Sequence, residues 1–328
     1  MLDLSRFTRP ALVLAVVLIA GCGGNTATPS VPSVALGGAR GLHRAAASLT
    51  KPALITFDPQ TEGLAYFPIQ HNGSQSLTPF TGSLGISNAS ALAGDGDVVI
   101  IASYSPAEIV TYNADTKAET TMSDPFGNPY DVAVDKHGNI YAMSSADVAV
   151  YKAGSATPAE LTCSAVATSE AIAVNNEGDV FVDGYGSKFE GVIEYPAGSQ
   201  HCMRPHLRAT RGYIAGVGVD PKTDALIVID DPDDCAGGIE GRMVIYPKPY
   251  EQRTSIRRVL NASYCSGAFR LDANSTHIFY SDASVSDGIP IIDQARYPAA
   301  KFEGQYWLGY YSNDSFSGIT TIPNSLPN

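Results

Sequence analysis

Asp230, Asp231, Asp233 and Asp234 put four carboxylates into five residues, immediately before Cys235. Like charges at that density repel unless a cation joins them, and hard oxygen donors point to Ca²⁺. The alternating acids and central glycine of an EF-hand loop are missing, so without an ion the segment reads as a solvated acidic loop pinned at Cys235. Tyr306, Trp307, Tyr310 and Tyr311 form a second cluster, which holds the single tryptophan of the chain. Exposed, such rings stack on sugars or anchor protein partners; buried, they would pack the place where the fold closes. Nucleophilic catalysis has little footing, because residues 184–187 (GYGS) have neither the spacing nor the strand-to-helix setting of a nucleophile elbow. No glycine-rich turn precedes a helix, which removes phosphate-binding loops.

The chain that must position these clusters is repetitive. An alternating strand, a turn and a second strand recur at 131–141 (DVAVDKHGNIY), 171–181 (AIAVNNEGDVF), 216–228 (GVGVDPKTDALIV) and 268–280 (AFRLDANSTHIFY), with a weaker copy at 91–99. Period-2 alternation closed by Asp, Asn and Gly predicts half-buried hairpins. An aromatic residue ends a third strand in each unit: Phe67, Tyr112, Tyr151, Tyr195, Tyr246 and Tyr297, at spacings of 45, 39, 44, 51 and 51 residues. About four short strands every 40–50 residues describes propeller blades. Six landmarks predict an all-β, six-bladed β-propeller over residues 50–324, with a short tail at 325–328. Only one strand (53–57) precedes the first landmark, and 318–322 (GITTI) is a lone strand at the other end. The expected ring closure is one C-terminal strand pairing with three N-terminal strands, which covers edges that would otherwise aggregate. Basic stretches at 201–211 and 253–258 fall on expected outermost strands, where Lys and Arg oppose edge-to-edge pairing.

Arg6 and Arg9 precede the apolar run 11–20 (ALVLAVVLIA), a secretory pattern too short to span a membrane. Residues 19–22 (IAGC) resemble the lipobox of bacterial lipoproteins. That resemblance implies a signal peptide over 1–21, lipidation (palmitate among the acyl chains) of Cys22, and a flexible tether over 22–49. Gly23 rather than Asp after the cysteine implies sorting to the outer membrane. The remaining cysteines, Cys163, Cys202, Cys235 and Cys265, suggest two disulfides in an exported protein, with three pairings possible. Cys163–Cys202 with Cys235–Cys265 is favoured, since each bridge then joins neighbouring units. No Cys-x-x-Cys spacing supports a zinc or thioredoxin-like site.

With 33 acidic and 21 basic residues the chain carries a net charge of −12, which opposes a nucleic-acid partner. At 44% hydrophobic and 16% charged residues it is no disordered segment either.

The recurring VAVD…GNIY…VYKAGS phrase resembles NHL repeats and the related SMP-30/gluconolactonase-like six-bladed propellers, over most of the mature chain. The lactonases of that group hold a divalent metal with a Glu, an Asn and an Asp, and use a further Asp as acid/base. The resemblance places those roles on Asn128 and Glu170, just before innermost strands, and on Asp230 and Asp282, just after second strands. The Gly-Glu-Gly-Pro start that supplies the family's metal Glu is absent, and such side chains also populate turns for their own backbone bonds. The expected function is therefore a non-catalytic binding or scaffold module for an envelope protein or glycan. The rival is a Ca²⁺-dependent lactonase-type hydrolase, which requires those four side chains to meet within about 2.3–2.6 Å of one ion at the channel mouth.

Overall fold

The computed structural model describes residues 53–69, 78–145, 147–164, 166–169, 171–186, 189–205, 207, 213–231, 242–250, 256–259, 269–271, 276–282, 291–299, 301–307 and 318–322. Every regular element among them is a β-strand. β1 (Ala53–Asp58), β2 (Gly63–Pro68) and β3 (Thr78–Pro79) run as an antiparallel meander. β4 (Ala89–Asp95), β5 (Val98–Ser103), β6 (Glu108–Asn113) and β7 (Glu119–Ser123) make a four-stranded sheet in chain order. β8 (Asp131–Val134), β9 (Ile140–Ser144), β10 (Asp147–Tyr151) and β11 (Ala159–Thr162) repeat it. β12 (Ile172–Val174), β13 (Val180–Gly186) and β14 (Phe189–Tyr195) form a three-stranded sheet, extended by a single bridge from Glu194 to Met203. β15 (Tyr213–Val219), β16 (Leu226–Asp231), β17 (Arg242–Tyr246) and β18 (Ile256–Val259) form the next sheet. β19 (Phe269–Leu271), β20 (His277–Asp282), β21 (Ile291–Arg296) and β22 (Lys301–Trp307) form another. β23 (Ile319–Ile322) then pairs antiparallel with β1, Ala53 opposite Ile322 and Thr56 opposite Ile319.

Burial grades across each sheet. The second strands are covered on both faces (β1 and β9 are buried throughout), whereas β7 exposes four of its five side chains. The reason is face-to-face stacking, which leaves neither face of a middle strand to water and makes its sequence a near-continuous apolar run. Six apolar clusters lie between successive sheets. Phe57 and Leu64 meet Leu92, Ile101 and Val110 in one, and Ala91, Ala93 and Ile100 meet Val132, Ala142 and Tyr151 in the next. The series continues through the β9–β13, β13–β16 and β16–β20 boundaries to Leu54, Phe67 and Ile319 packed against Phe279, Ile292 and Tyr306. At about 1.5–3 kcal/mol per fully buried aliphatic or phenyl side chain, these interfaces are the main stabilising term.

The innermost strands neighbour one another in the order β23, β4, β8, β12, β15, β19 and β23 again. The turns leaving β8, β12 and β15 are each built around one side chain. Asp135 accepts from the His137 and Asn139 amides at 2.8 and 2.9 Å, from Asn139 Nδ2 at 2.7 Å and from the Tyr141 hydroxyl at 3.0 Å. Gly138 completes that turn at φ 76°, a backbone conformation that costs glycine least. Asn175 repeats the bonds to the Glu177 and Asp179 amides, both at 2.9 Å, and Asp220 accepts from the Lys222 amide at 2.9 Å.

Candidate functional site

A cavity of about 250 Å³ lies among the innermost strands and draws on all six: Ala93 and Gly94 of β4, Val132–Val134 of β8, Ile172–Val174 of β12, Val217–Val219 of β15, Leu271 of β19, and Thr320 and Thr321 of β23. It reaches Asp135, Lys136, Asn175, Asn176 and Pro221, where the chain leaves these strands; this is its trailing end. Antiparallel pairing explains the walls. The Asp135 amide donates to Asn139 O, so the alternation of bonded pairs turns the backbone of Ala133 toward β9 and leaves that of Val134 on the open edge facing the cavity. Val174 and Val219 stand likewise, by the Asn175-to-Asp179 and Asp220-to-Ala225 bonds.

Most polar side chains at the trailing end are already engaged. Asn176 donates through Nδ2 to Pro221 O at 3.0 Å and to Asp224 at 2.6 Å. Lys248 is held by Glu177 at 2.6 Å, with Asp224 at 4.0 Å. Burial opposes the charge of Asp135, but the bonds from Asn139, His137 and Tyr141 outweigh it and hold its carboxyl below the usual carboxylate range. Asp95 moves the other way, pushed up by burial and then by the Asp135 charge.

At the leading end, where the chain runs into the innermost strands, two buried carboxylates went unpredicted from sequence. Asp131 accepts from the Val132 amide at 2.8 Å and from the Ile172 amide of the next innermost strand at 2.9 Å. Asp183, fully buried, accepts from the adjacent Ala171 amide at 2.8 Å. Both serve backbone donors across strand boundaries. The only sequence signals were their places, at the head of DVAVD and after the apolar VFV. Tyr185 acts similarly, its hydroxyl accepting from the Ile214 amide at 2.9 Å. Beside them lies an aromatic pair, Tyr104 and Tyr130, with ring centroids 5.5 Å apart at 57°. Tyr130 is 41% exposed, an unusual position for so large a ring, and Asn128 two residues earlier is exposed as well.

Asn128 lies ahead of β8, while Asp230 and Asp282 occupy corresponding places on β16 and β20, so all three stand at the leading end, away from the trailing mouth of the cavity. Asp231 ends β16 and Trp307 ends β22. Glu170, Asp233, Asp234, Tyr310, Tyr311, Cys22, Cys235 and Cys265 lie outside the described residues. Among the described residues no three His, Cys, Asp or Glu side chains gather where they could hold a metal ion. Tyr306 takes the buried of the two readings and is corrected as a binding residue: it is completely buried, 5.2 Å from Phe67 and 6.2 Å from Phe279, with its hydroxyl donating to Gln294 Oε1 at 2.5 Å. Pairing with Ile292 turns this position inward between two sheets. The Cys163–Cys202 disulfide is present, tying the end of β11 to the segment that bridges Glu194.

No family model matches the chain, and neither does any curated protein. Solved structures do. A chain of a nidogen/laminin complex is 16% identical, with 83% of this chain and 98% of that one covered at a TM-score of 0.65. TolB from Acinetobacter baumannii is 12% identical, with 83% and 66% covered at 0.61. Hydrazine synthase from Kuenenia stuttgartiensis is 14% identical, with 65% and 64% covered at 0.51. At these identities the likeness is one of fold: the protein is a β-propeller.

Proposed function

We propose that the protein is an exported lipoprotein, anchored through Cys22 to the cell envelope and there to the outer membrane, whose propeller acts as a non-catalytic binding or scaffold module. The propeller has six blades of the NHL type, and β23 closes the ring by completing the blade begun by β1–β3. Support for the blade count comes from the six sheets, their six intervening cores and the cyclic order of their innermost strands. Support for the anchor comes from the sequence at 19–22.

The observation that carries the binding reading is the Tyr104–Tyr130 pair on the leading end. Two tilted rings, one of them well exposed, offer the amphipathic area that sugars and protein partners use. Glycan and peptide arrays probed with the purified protein, and again with Tyr130→Ala, test it. Ligands retained by the native protein and lost by the variant support the module. Identical retention, or none by either protein, sinks it.

A further inference from the structure

We propose that the Tyr104–Tyr130 pair binds an uncharged saccharide, with one sugar unit stacked on Tyr130. The proposal rests on the binding reading of that pair and names its ligand.

The rings are held in place before any ligand arrives. The Tyr104 amide donates to Asn88 O at 2.9 Å, and the Tyr130 amide donates to Met143 O of β9 at 2.7 Å. The Ser90 hydroxyl donates to Pro129 O at 2.6 Å, which ties the chain just before Tyr130 to β4. With 57° between their planes, the two rings cannot both lie flat against one ligand face. Tyr130, at 41% exposure, is therefore the platform, and Tyr104 is the buttress that fixes its tilt. A platform ordered in advance loses little freedom on binding.

What surrounds the rings selects the ligand. These bonds bring together the segments 86–88 (ISN), 104–107 (YSPA) and 125–130 (PFGNPY), and none of the three contains Asp, Glu, Lys, Arg or His. The acids that flank them are Glu108, half-buried at the start of β6, and Asp124 and Asp131, both buried. Asp124 accepts from the Phe126 amide and the Ser144 hydroxyl, and Asp131 from the Val132 and Ile172 amides. An acidic ligand finds no cation in these segments, and a basic one finds no exposed carboxylate. Exposed instead are Asn88, Ser105 and Asn128. Neither amide side chain bonds another group among the described residues, so each still offers two donors and an acceptor. A pyranose asks for this combination: its C–H face stacks on an aromatic ring, and its rim of hydroxyls takes amide and hydroxyl partners.

A protein partner fits less well. A standard interface covers about 800 Å² on each side, around an aromatic and apolar centre. Among the described residues the exposed large apolar side chains are Tyr130 and Met203, and Met203 lies beside β14, in another sheet. One ring face is too little for such a centre and enough for one sugar unit.

The test presents the purified full-length protein with neutral oligomers of glucose, galactose, mannose and N-acetylglucosamine, with acidic galacturonate and basic glucosamine oligomers, and with a peptide array. Retention is expected on neutral sugars and on neither charged series, and it should survive raised salt, since no ion pair contributes. In calorimetric titration with the retained sugar, Tyr130→Ala should weaken binding by about tenfold or more, while Tyr130→Trp keeps it. Asn128→Ala should weaken it by about two- to tenfold, the range of one neutral hydrogen bond. Both positions are exposed, so the variants should melt with the native protein; where Tyr130→Ala does not, Tyr130→Trp and Asn128→Ala decide. Preference for a charged series, or binding lost with salt, would overturn the proposal. Peptides retained through Tyr130 without any sugar would overturn it too, yet leave the binding module standing. Sugar held equally by Tyr130→Ala, or no probe held at all, would overturn both.

Discussion

Asn139 donates its side-chain amide to the Asp135 carboxylate across 2.7 Å, and in the next repeat Asn175 donates to Asp179 across the same 2.7 Å. Acid and amide have exchanged places while the bond and the turn are kept. In both repeats the first residue accepts two backbone amides, a task that either a carboxylate or an amide oxygen performs. Asp135→Ala should therefore cost about 1–3 kcal/mol, and the paired exchange Asp135→Asn with Asn139→Asp should recover most of that loss in urea denaturation. Asn139→Asp alone sets two carboxylates against each other and should be worse than the pair. If the double variant is as unstable as Asp135→Ala, the two turns are not interchangeable.

Two acids should shape the pH dependence in opposite directions. Asp135 is held below the ordinary carboxylate range, so its contribution is present above the unfolded-state value and is lost as the pH falls through the lowered folded value. Asp124 is pushed up by burial, although the Phe126 amide and the Ser144 hydroxyl partly offset this. Its folded form favours the proton, so stability falls as the pH rises from the unfolded-state value to the raised folded value and the loss is complete above it. Asp124→Asn is accordingly expected to stabilise the protein at pH 7 and Asp135→Asn to flatten the acid limb, both read from melting temperature against pH.

The Cys163–Cys202 bridge closes a 39-residue separation, for which loop-closure entropy gives about 4 kcal/mol. Cys163→Ser with Cys202→Ser should lose up to that amount in denaturant titration. Proteolysis near Met203, half exposed and bridged to its sheet at Glu194, should accelerate in the variant. An unchanged midpoint and cleavage pattern would mean that the bridge constrains nothing.

Tyr306→Phe removes only the hydroxyl that bonds Gln294, a residue that is itself completely buried and whose Nε2 finds no partner among the described residues. It should cost about 1–3 kcal/mol by leaving a buried amide unsatisfied, and Tyr306→Ala about 3–5 kcal/mol by adding a cavity between Phe67 and Phe279. Variants that melt with the native protein would contradict that packing.

Chelation addresses the hydrolase rival. Melting with and without EDTA is expected to coincide, because Asn128 is exposed and no metal-binding triad forms among the described residues. One Ca²⁺ per chain, lost on chelation with a fall in melting temperature, would instead direct attention to Asp230 and Asp282 at the leading end, to Glu170, and to lactone substrates.

Local chemistry was legible in the amino-acid order. The turn at Asp135 involves residues within six positions of one another, and the aromatic that ends a third strand, such as Tyr151 or Tyr246, marks a period countable along the chain. The one described disulfide joins neighbouring repeats, which spacing alone favours. Whether Tyr306 is exposed or buried was not legible, because its partners Phe67 and Phe279 come from two different sheets. The same limit applies to Asp131, whose bond to the Ile172 amide spans 41 residues, and to the cavity, whose lining comes from six separate innermost strands. Backbone propensity and turn chemistry act over a few residues and can be read in one dimension. Which faces meet, which edges stay unpaired and what space remains between them depend on how separately formed sheets pack, and only the tertiary structure decides that.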